Sequence, residues 1–120
     1  MSDPIRSPAE FRSGQIVTVF RSRLRTDNQD AYREHSAQIA ALAETMPGLV
    51  DVKAFTASDG ERVTIVTFAD HEAQDGWRRH TDHLDAQRKG RSDYYAEYSI
   101  QVAETVRATQ FAVADRPADT

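Results

Sequence analysis

The apolar period of this chain changes in the order two, three-to-four, two, two, three-to-four, two, and few folds accept that order. From Gln15 to Leu24 the residues alternate. Ile16, Thr18, Phe20, Ser22 and Leu24 fall on one face, and Val17, Val19, Arg21 and Arg23 on the other. β-Branched and aromatic residues dominate the run, which predicts a strand. Tyr32, His35, Ile39, Leu42 and Met46 then recur at three- and four-residue steps. That spacing makes one apolar stripe of an amphipathic helix, with Asp27 or Asn28 placed to accept from its free N–H groups. Pro47 and Gly48 end it, because proline cannot continue the ladder and glycine accepts a left-handed turn. Leu49 to Ala57 reads as a second strand, Asp59-Gly60 as a tight hairpin turn and Glu61 to Phe68 as a third strand. After Asp70 the period turns helical through Trp77 and a basic segment, a short helix or a helix and loop ending at Gly90. The last strand runs from about Tyr94 to Arg107. Tyr94, Tyr98, Ile100, Val102 and Val106 share one side; Tyr95, Glu97, Ser99, Gln101 and Thr105 form a largely polar one.

The order β-α-β-β-α-β predicts an α+β, ferredoxin-like sandwich: a four-stranded antiparallel sheet with helices on one face. The domain should span residues 14–111, between a flexible N-terminal tail (1–13) and a flexible C-terminal tail (112–120), both rich in proline, serine or small residues and without periodicity. Apolar residues on both faces of the first strand imply that the face away from the helices is also buried, against a second copy of the chain. A homodimer with two sheets face to face, a dimeric α+β barrel, is expected. RNA-binding domains of the same fold stack bases on aromatics of the central strands, and that aromatic pattern is missing here.

Composition narrows the chemistry. With 120 residues there is room for one modest core. Without cysteine, disulfides, thiol catalysis and thiolate metal sites are excluded. No apolar run approaches the roughly 20 residues of a membrane span, and Met1 to Gly14 lacks the apolar centre of a secretion signal, so a cytoplasmic protein is expected. A net charge of −4 disfavours nucleic acid as a partner.

The stretch from Trp77 to Gly90 concentrates what chemistry remains. It holds the only tryptophan, His80, His83, Gln87, Arg88 and Lys89. From Arg78 to Arg91 the local charge is +3, leaving −7 for the rest of the chain. A cationic patch on an acidic protein suits a small anionic ligand, whereas the competing reading is a solvated helix face laced with Asp–Arg pairs. His80 and His83, at i and i+3, invite a metal reading, but zinc needs three or more ligands, and neither His35 nor His71 has a reason to converge there. Serines and histidines occur without an elbow motif, so no hydrolytic triad assembles.

Taken together, a β-α-β-β-α-β chain with Pro47-Gly48 after the first helix, a hairpin, then Trp77, His80, His83, Gln87 and Gly90 before a long last strand with Tyr94 and Tyr95 resembles the antibiotic biosynthesis monooxygenase superfamily. The resemblance spans roughly Gln15 to Phe111. It implies oxygenation of a small electron-rich aromatic (a quinol, phenol or anthrone) by O2 without a cofactor, in a dry pocket between sheet and helices. In that reading Trp77 is the wall, Arg91 or Arg88 the cation, Gln87 a hydrogen-bond partner, and His80 or His83 the proton acceptor. Phe20, Ser22, Arg88 and Tyr94 are the expected substrate contacts. The haem-degrading branch places an axial histidine where this chain has Gln87 and a strand asparagine where it has Ser22, and glutamine is a poor haem ligand. Haem is therefore the runner-up cofactor, with the basic residues as partners for its propionates. A non-catalytic dimer that binds a small molecule is the third reading.

Overall fold

A computed structural model of the chain describes residues 9–113; the greater part of both expected tails, residues 1–8 and 114–120, lies outside the described residues. The elements are β1 (Ile16–Leu24), α1 (Gln29–Glu44), β2 (Leu49–Thr56), β3 (Arg62–Phe68), α2 (His71–Arg79), α3 (Thr81–Lys89), one π-helical turn (Gly90–Tyr94) and β4 (Tyr95–Glu104). The four strands form one antiparallel sheet in the order β2-β3-β1-β4, the ferredoxin-like arrangement that the periodicities predict. Among the described residues no helix is long and apolar enough to cross a membrane.

Register fixes which side chains share a face. Ile16, Thr18, Phe20 and Ser22 of β1 lie opposite Phe68, Val66, Thr64 and Arg62 of β3. Val66 and Phe68 are buried in one cluster with Ala43 and Trp77, edged by Ile39, Leu42, Met46 and Ala73. The even-numbered side of β1 is therefore the helix side, and α1 and α2 both pack there. Gly48 lets the α1–β2 connection close: its φ is +80°, and a Cβ on it would stand 2.5 Å from the Cβ of Ala73. The odd-numbered side carries Val17, Val19, Val63, Ile65 and Phe55, bounded at one end by the ion pairs Arg21–Glu61 (2.7 Å), Arg23–Asp59 (2.8 Å) and Arg23–Glu97 (3.0 Å).

Four local details depart from the sequence expectations, the first being that β4 ends at Glu104 rather than near Arg107. Asn28 precedes α1 with left-handed backbone (φ 60°) and makes no side-chain cap, while the Asp27 carboxylate instead holds Arg25 at 3.0 Å. Tyr94 belongs to the π-turn rather than to the strand. A bulge at Ala96 shifts the β1–β4 register, so that Leu24 lies opposite Tyr95 where Arg23 lies opposite Glu97. One extra residue reverses the alternation. Tyr95 consequently joins Tyr98 on the helix side instead of the polar side.

The segments flanking the sheet are tied to each other. Gly14 N–H donates to Thr105 O at 2.9 Å, and Thr105 N–H donates to Gln15 O at 2.8 Å. The Gln110 amide accepts from Phe11 N–H (2.8 Å) and donates to Ala9 O (2.6 Å).

Candidate active site

The local sequence around His80 decides how Trp77 and His83 meet. The Asp70 carboxylate caps α2 by accepting from Ala73 N–H at 2.9 Å, and the helix carries Trp77 inward in its last turn. His80 is extended (φ −62°, ψ 130°) and breaks the helix; its Nδ1 accepts from Asp82 N–H at 3.2 Å and so starts α3. On α3 the half-buried or buried positions are His83, Ala86 and Gln87, followed by Gly90, a stripe at three- and four-residue steps. The imidazole of His83 stacks on the Trp77 indole, with centroids 4.1 Å apart and planes 23° from parallel. Its Nδ1 lies 3.1 Å from the Trp77 carbonyl oxygen. A carbonyl can only accept, so Nδ1 carries the proton and Nε2 presents a lone pair. Burial holds His83 below the ordinary histidine pKa, the Trp77 carbonyl offsets this in part, and His80 adds to the lowering. His83 is therefore neutral at pH 7.

A second cluster stands at the other end of the helix side. Phe20 meets Tyr95 edge-on at 5.4 Å and Tyr98 at 5.5 Å; Tyr32 packs edge-on against both Tyr94 and Tyr95 at 5.7 Å. Tyr94 is buried and also touches His35 at 5.1 Å. Ser22 is buried on the same face of β1. Burial, then the neighbouring Tyr32, raise the Tyr95 pKa well above the ordinary phenol value, so this hydroxyl stays protonated. Arg91 donates to the Tyr98 hydroxyl at 3.2 Å. Gly90 makes the cluster possible, since a Cβ there would stand 2.5 Å from Tyr95 Cε2.

Between the two clusters lies a strip of sheet. Trp77 packs with Val66 and Phe68, the cross-strand neighbours of Thr18 and Ile16, while Phe20 lies one inward position further along β1. Thr18 and Phe20 pair on their other side with Val102 and Ile100 of β4. Although they face the helix side, Ile100 and Val102 are 41% and 52% exposed. The Thr18 Oγ1 is buried and has no hydrogen-bond partner among the described residues. An apolar strip beside a neutral histidine stacked on Trp77, a protonated phenol and one unpartnered hydroxyl has the groups to hold a planar aromatic and accept its proton.

The remaining expected residues are placed differently. Arg88 is exposed and pairs with Asp85 at 3.0 Å, Arg78 and Arg79 share Asp75 at 2.7 and 3.2 Å, and Lys89 pairs with Asp93. The basic segment is thus largely neutralised by its own carboxylates; Arg91 of that segment reaches the aromatic cluster, as does Arg62 of β3, whose guanidinium lies 5.4 Å from the Tyr32 ring centre. His80 is used as a helix cap. Among the described residues no group of three His, Asp or Glu side chains converges to hold a metal ion. Two open grooves, about 700 Å³ between α1 and α3 and about 400 Å³ beside the β2–β3 hairpin, are lined by none of the expected site residues. The larger groove gathers His35, Asp82, Asp85 and Lys89, whereas the strip lies beside Trp77 and Phe20 of the expected set and is the candidate site. Sequence reasoning did not single out Thr18, Tyr32 or Tyr95 as candidate site residues; only the last left a signal, as the second of two adjacent tyrosines a few residues after Gly90.

A family model described as antibiotic biosynthesis monooxygenase matches residues 15–89. The uncharacterized protein YqjZ of Bacillus subtilis is 32% identical over 93 residues, covering 78% of this chain and 82% of its own. Among solved structures, SnoaB, a cofactor-independent oxygenase from Streptomyces nogalater, superposes with a TM-score of 0.67 at 19% identity, over 81% of this chain and 97% of that one. Protein SO0527 from Shewanella oneidensis gives 0.71 at 14% identity, over 84% and 100%. At these identities both structures speak for the fold.

Proposed function

The chain belongs to the antibiotic biosynthesis monooxygenase family, and from that premise we propose that it oxygenates a small electron-rich aromatic, a quinol, phenol or anthrone, with O2 and without a cofactor. The observation that carries the reading is His83: stacked on Trp77, bonded through Nδ1 to the Trp77 carbonyl, and so held neutral with Nε2 available as a base. Nε2 takes the proton of the substrate. The resulting anion passes one electron to O2, the two radicals combine in a carbon–oxygen bond, and the peroxide collapses to a carbonyl and water as His83 returns the proton. The substrate carbon supplies all four electrons, so no external reductant enters. Gln87, one turn from His83 on the same side of α3, and Arg91, through Tyr98, are the groups we assign to stabilise the anion. Trp77, with Phe20, Ser22 and Tyr94 at the far end, supplies the apolar enclosure.

Haem suits these residues less well. By the resemblance, Gln87 falls where the haem-degrading branch carries its histidine ligand, His80 is engaged as a cap, and Arg88 and Lys89 are already paired with carboxylates. We further propose that the protein works in the cytoplasm as a homodimer joined through the odd-numbered sheet face, where Val17, Val19, Val63, Ile65 and Phe55 lack a covering layer.

Oxygen uptake with an anthrone and a naphthohydroquinone tests the reaction. The wild type should accelerate it, and His83→Gln should lower the rate by about 10²–10⁴, the usual contribution of a general base. His80→Ala should lose stability but retain turnover. Undiminished uptake by His83→Gln refutes the assignment.

A further inference from the structure

Thr18 occupies a position where valine is the better choice on stability alone. It stands between Ile16 and Phe20 on the helix side of β1, with Val66 opposite it on β3 and Val102 on β4. Valine has the same shape, a higher strand preference and no polar atom to desolvate. The chain instead buries a hydroxyl that has no hydrogen-bond partner among the described residues. A buried, unpaired polar atom costs stability, and such costs are retained where a ligand repays them.

We infer that the Thr18 hydroxyl is a ligand-recognition donor that selects an aromatic bearing a second oxygen remote from the hydroxyl deprotonated by His83. This rests on the reading of the strip as the substrate site. Thr18 is itself only half-buried although its oxygen is covered, so the part of the side chain that reaches the surface is not the hydroxyl. A turn of about 120° about Cα–Cβ, between staggered wells, re-aims the hydroxyl and is the motion by which a ligand would reach it. His83 lies on α3, stacked on Trp77, and Thr18 on the sheet beside Val66, which packs with Trp77. A planar ligand that engaged both would meet its acceptor on one edge and its donor on the other. A ring with one hydroxyl satisfies His83 alone; one with a second oxygen on the far edge satisfies both.

The single tryptophan sits in this site and reports binding. Quenching of Trp77 fluorescence is titrated under argon with naphthalene-1,4-diol and with 1-naphthol, in the wild type, Thr18→Val and Thr18→Ser. The wild type should prefer the diol by about three- to tenfold, the yield of one added hydrogen bond. Thr18→Val should erase that preference while raising the melting temperature, and Thr18→Ser, which keeps the hydroxyl, should restore it. A diol preference intact in Thr18→Val overturns this inference and leaves the site reading standing. A melting temperature lowered by Thr18→Val also overturns it, since the hydroxyl would then serve the fold. Absence of quenching by either naphthol in the wild type removes the site reading and this inference together.

Discussion

Gly90→Ala should destabilise the protein even though its backbone suits alanine. Gly90 has ordinary right-handed helical angles, φ −59° and ψ −47°. Removing a helical glycine normally gains up to about 1 kcal/mol. Here the new Cβ would stand 2.5 Å from Tyr95 Cε2 and 2.8 Å from Cδ2. Carbon atoms in contact need about 3.5–4.0 Å, so the ring would have to retreat by about 1 Å or more. It is hemmed in by Phe20 at 5.4 Å and by Tyr32 and Tyr98, both at 5.7 Å. Overpacking of this kind costs about 1–3 kcal/mol. Set against the gain in helix preference, a net loss of about 1 kcal/mol follows, or roughly 4 °C in melting temperature for a domain of this size. In a Tyr95→Leu background the obstruction is gone, and the same substitution should stabilise by up to about 1 kcal/mol. The two positions should then couple by about 2 kcal/mol in a double-mutant cycle followed by urea unfolding. Stabilisation of the wild type by Gly90→Ala, or a coupling below the roughly 0.5 kcal/mol within which independent sites add, would show that Tyr95 does not obstruct a Cβ at this position.

Stability should also respond to pH through His83 and His35. Burial holds both below the ordinary histidine pKa, with Lys89 adding to the effect at His35. Between those lowered values and about pH 6.5 the unfolded chain binds more protons. Stability should therefore be full above about pH 6.5 and fall as the solution is acidified through the folded values; urea midpoints from pH 5 to 8 measure this, and His83→Gln should flatten the slope. Stability that rises on acidification over that range contradicts the assignment. For the dimer, the wild type should sediment at twice the chain mass at micromolar concentration, and Ile65→Asp, which puts a charge on the odd-numbered sheet face, should leave a monomer with unchanged helical circular dichroism. A wild-type monomer under those conditions refutes the face-to-face arrangement.

The strand and helix order was legible because each element keeps one period for its whole length, and the turns at Pro47-Gly48 and Asp59-Gly60 punctuate it. The faces of β1 were legible for the same reason. Tyr95 was not, because a bulge spends one residue, Ala96, without altering composition, and every side chain beyond it changes sides. His80 and His83 look alike at i and i+3 on one helix. They separate only because His80 leaves helical backbone, so that one histidine caps α3 and the other stacks on Trp77. The cationic patch was a property of the count, not of the surface: Asp75, Asp85 and Asp93 lie three or four residues from the bases they neutralise. A threonine in an alternating strand reads as neutral filler, and the missing partner that makes Thr18 informative exists only in three dimensions.

The strand order has a consequence for how the chain is made. β1 lies between β3 and β4, yet it is the first strand to be synthesised. At about 5–20 residues per second, a ribosome needs roughly 4–16 s to go from the end of β1 to the end of β4. During that interval Ile16, Val17, Val19 and Phe20 have no neighbouring strand on the β4 side, and none on the β3 side until the hairpin emerges. A nascent strand with apolar residues on both faces is a template for unwanted pairing. Arg21 and Arg23, immediately after that apolar run, put two positive charges beside it throughout the wait and later settle against Glu61, Asp59 and Glu97 in the finished sheet.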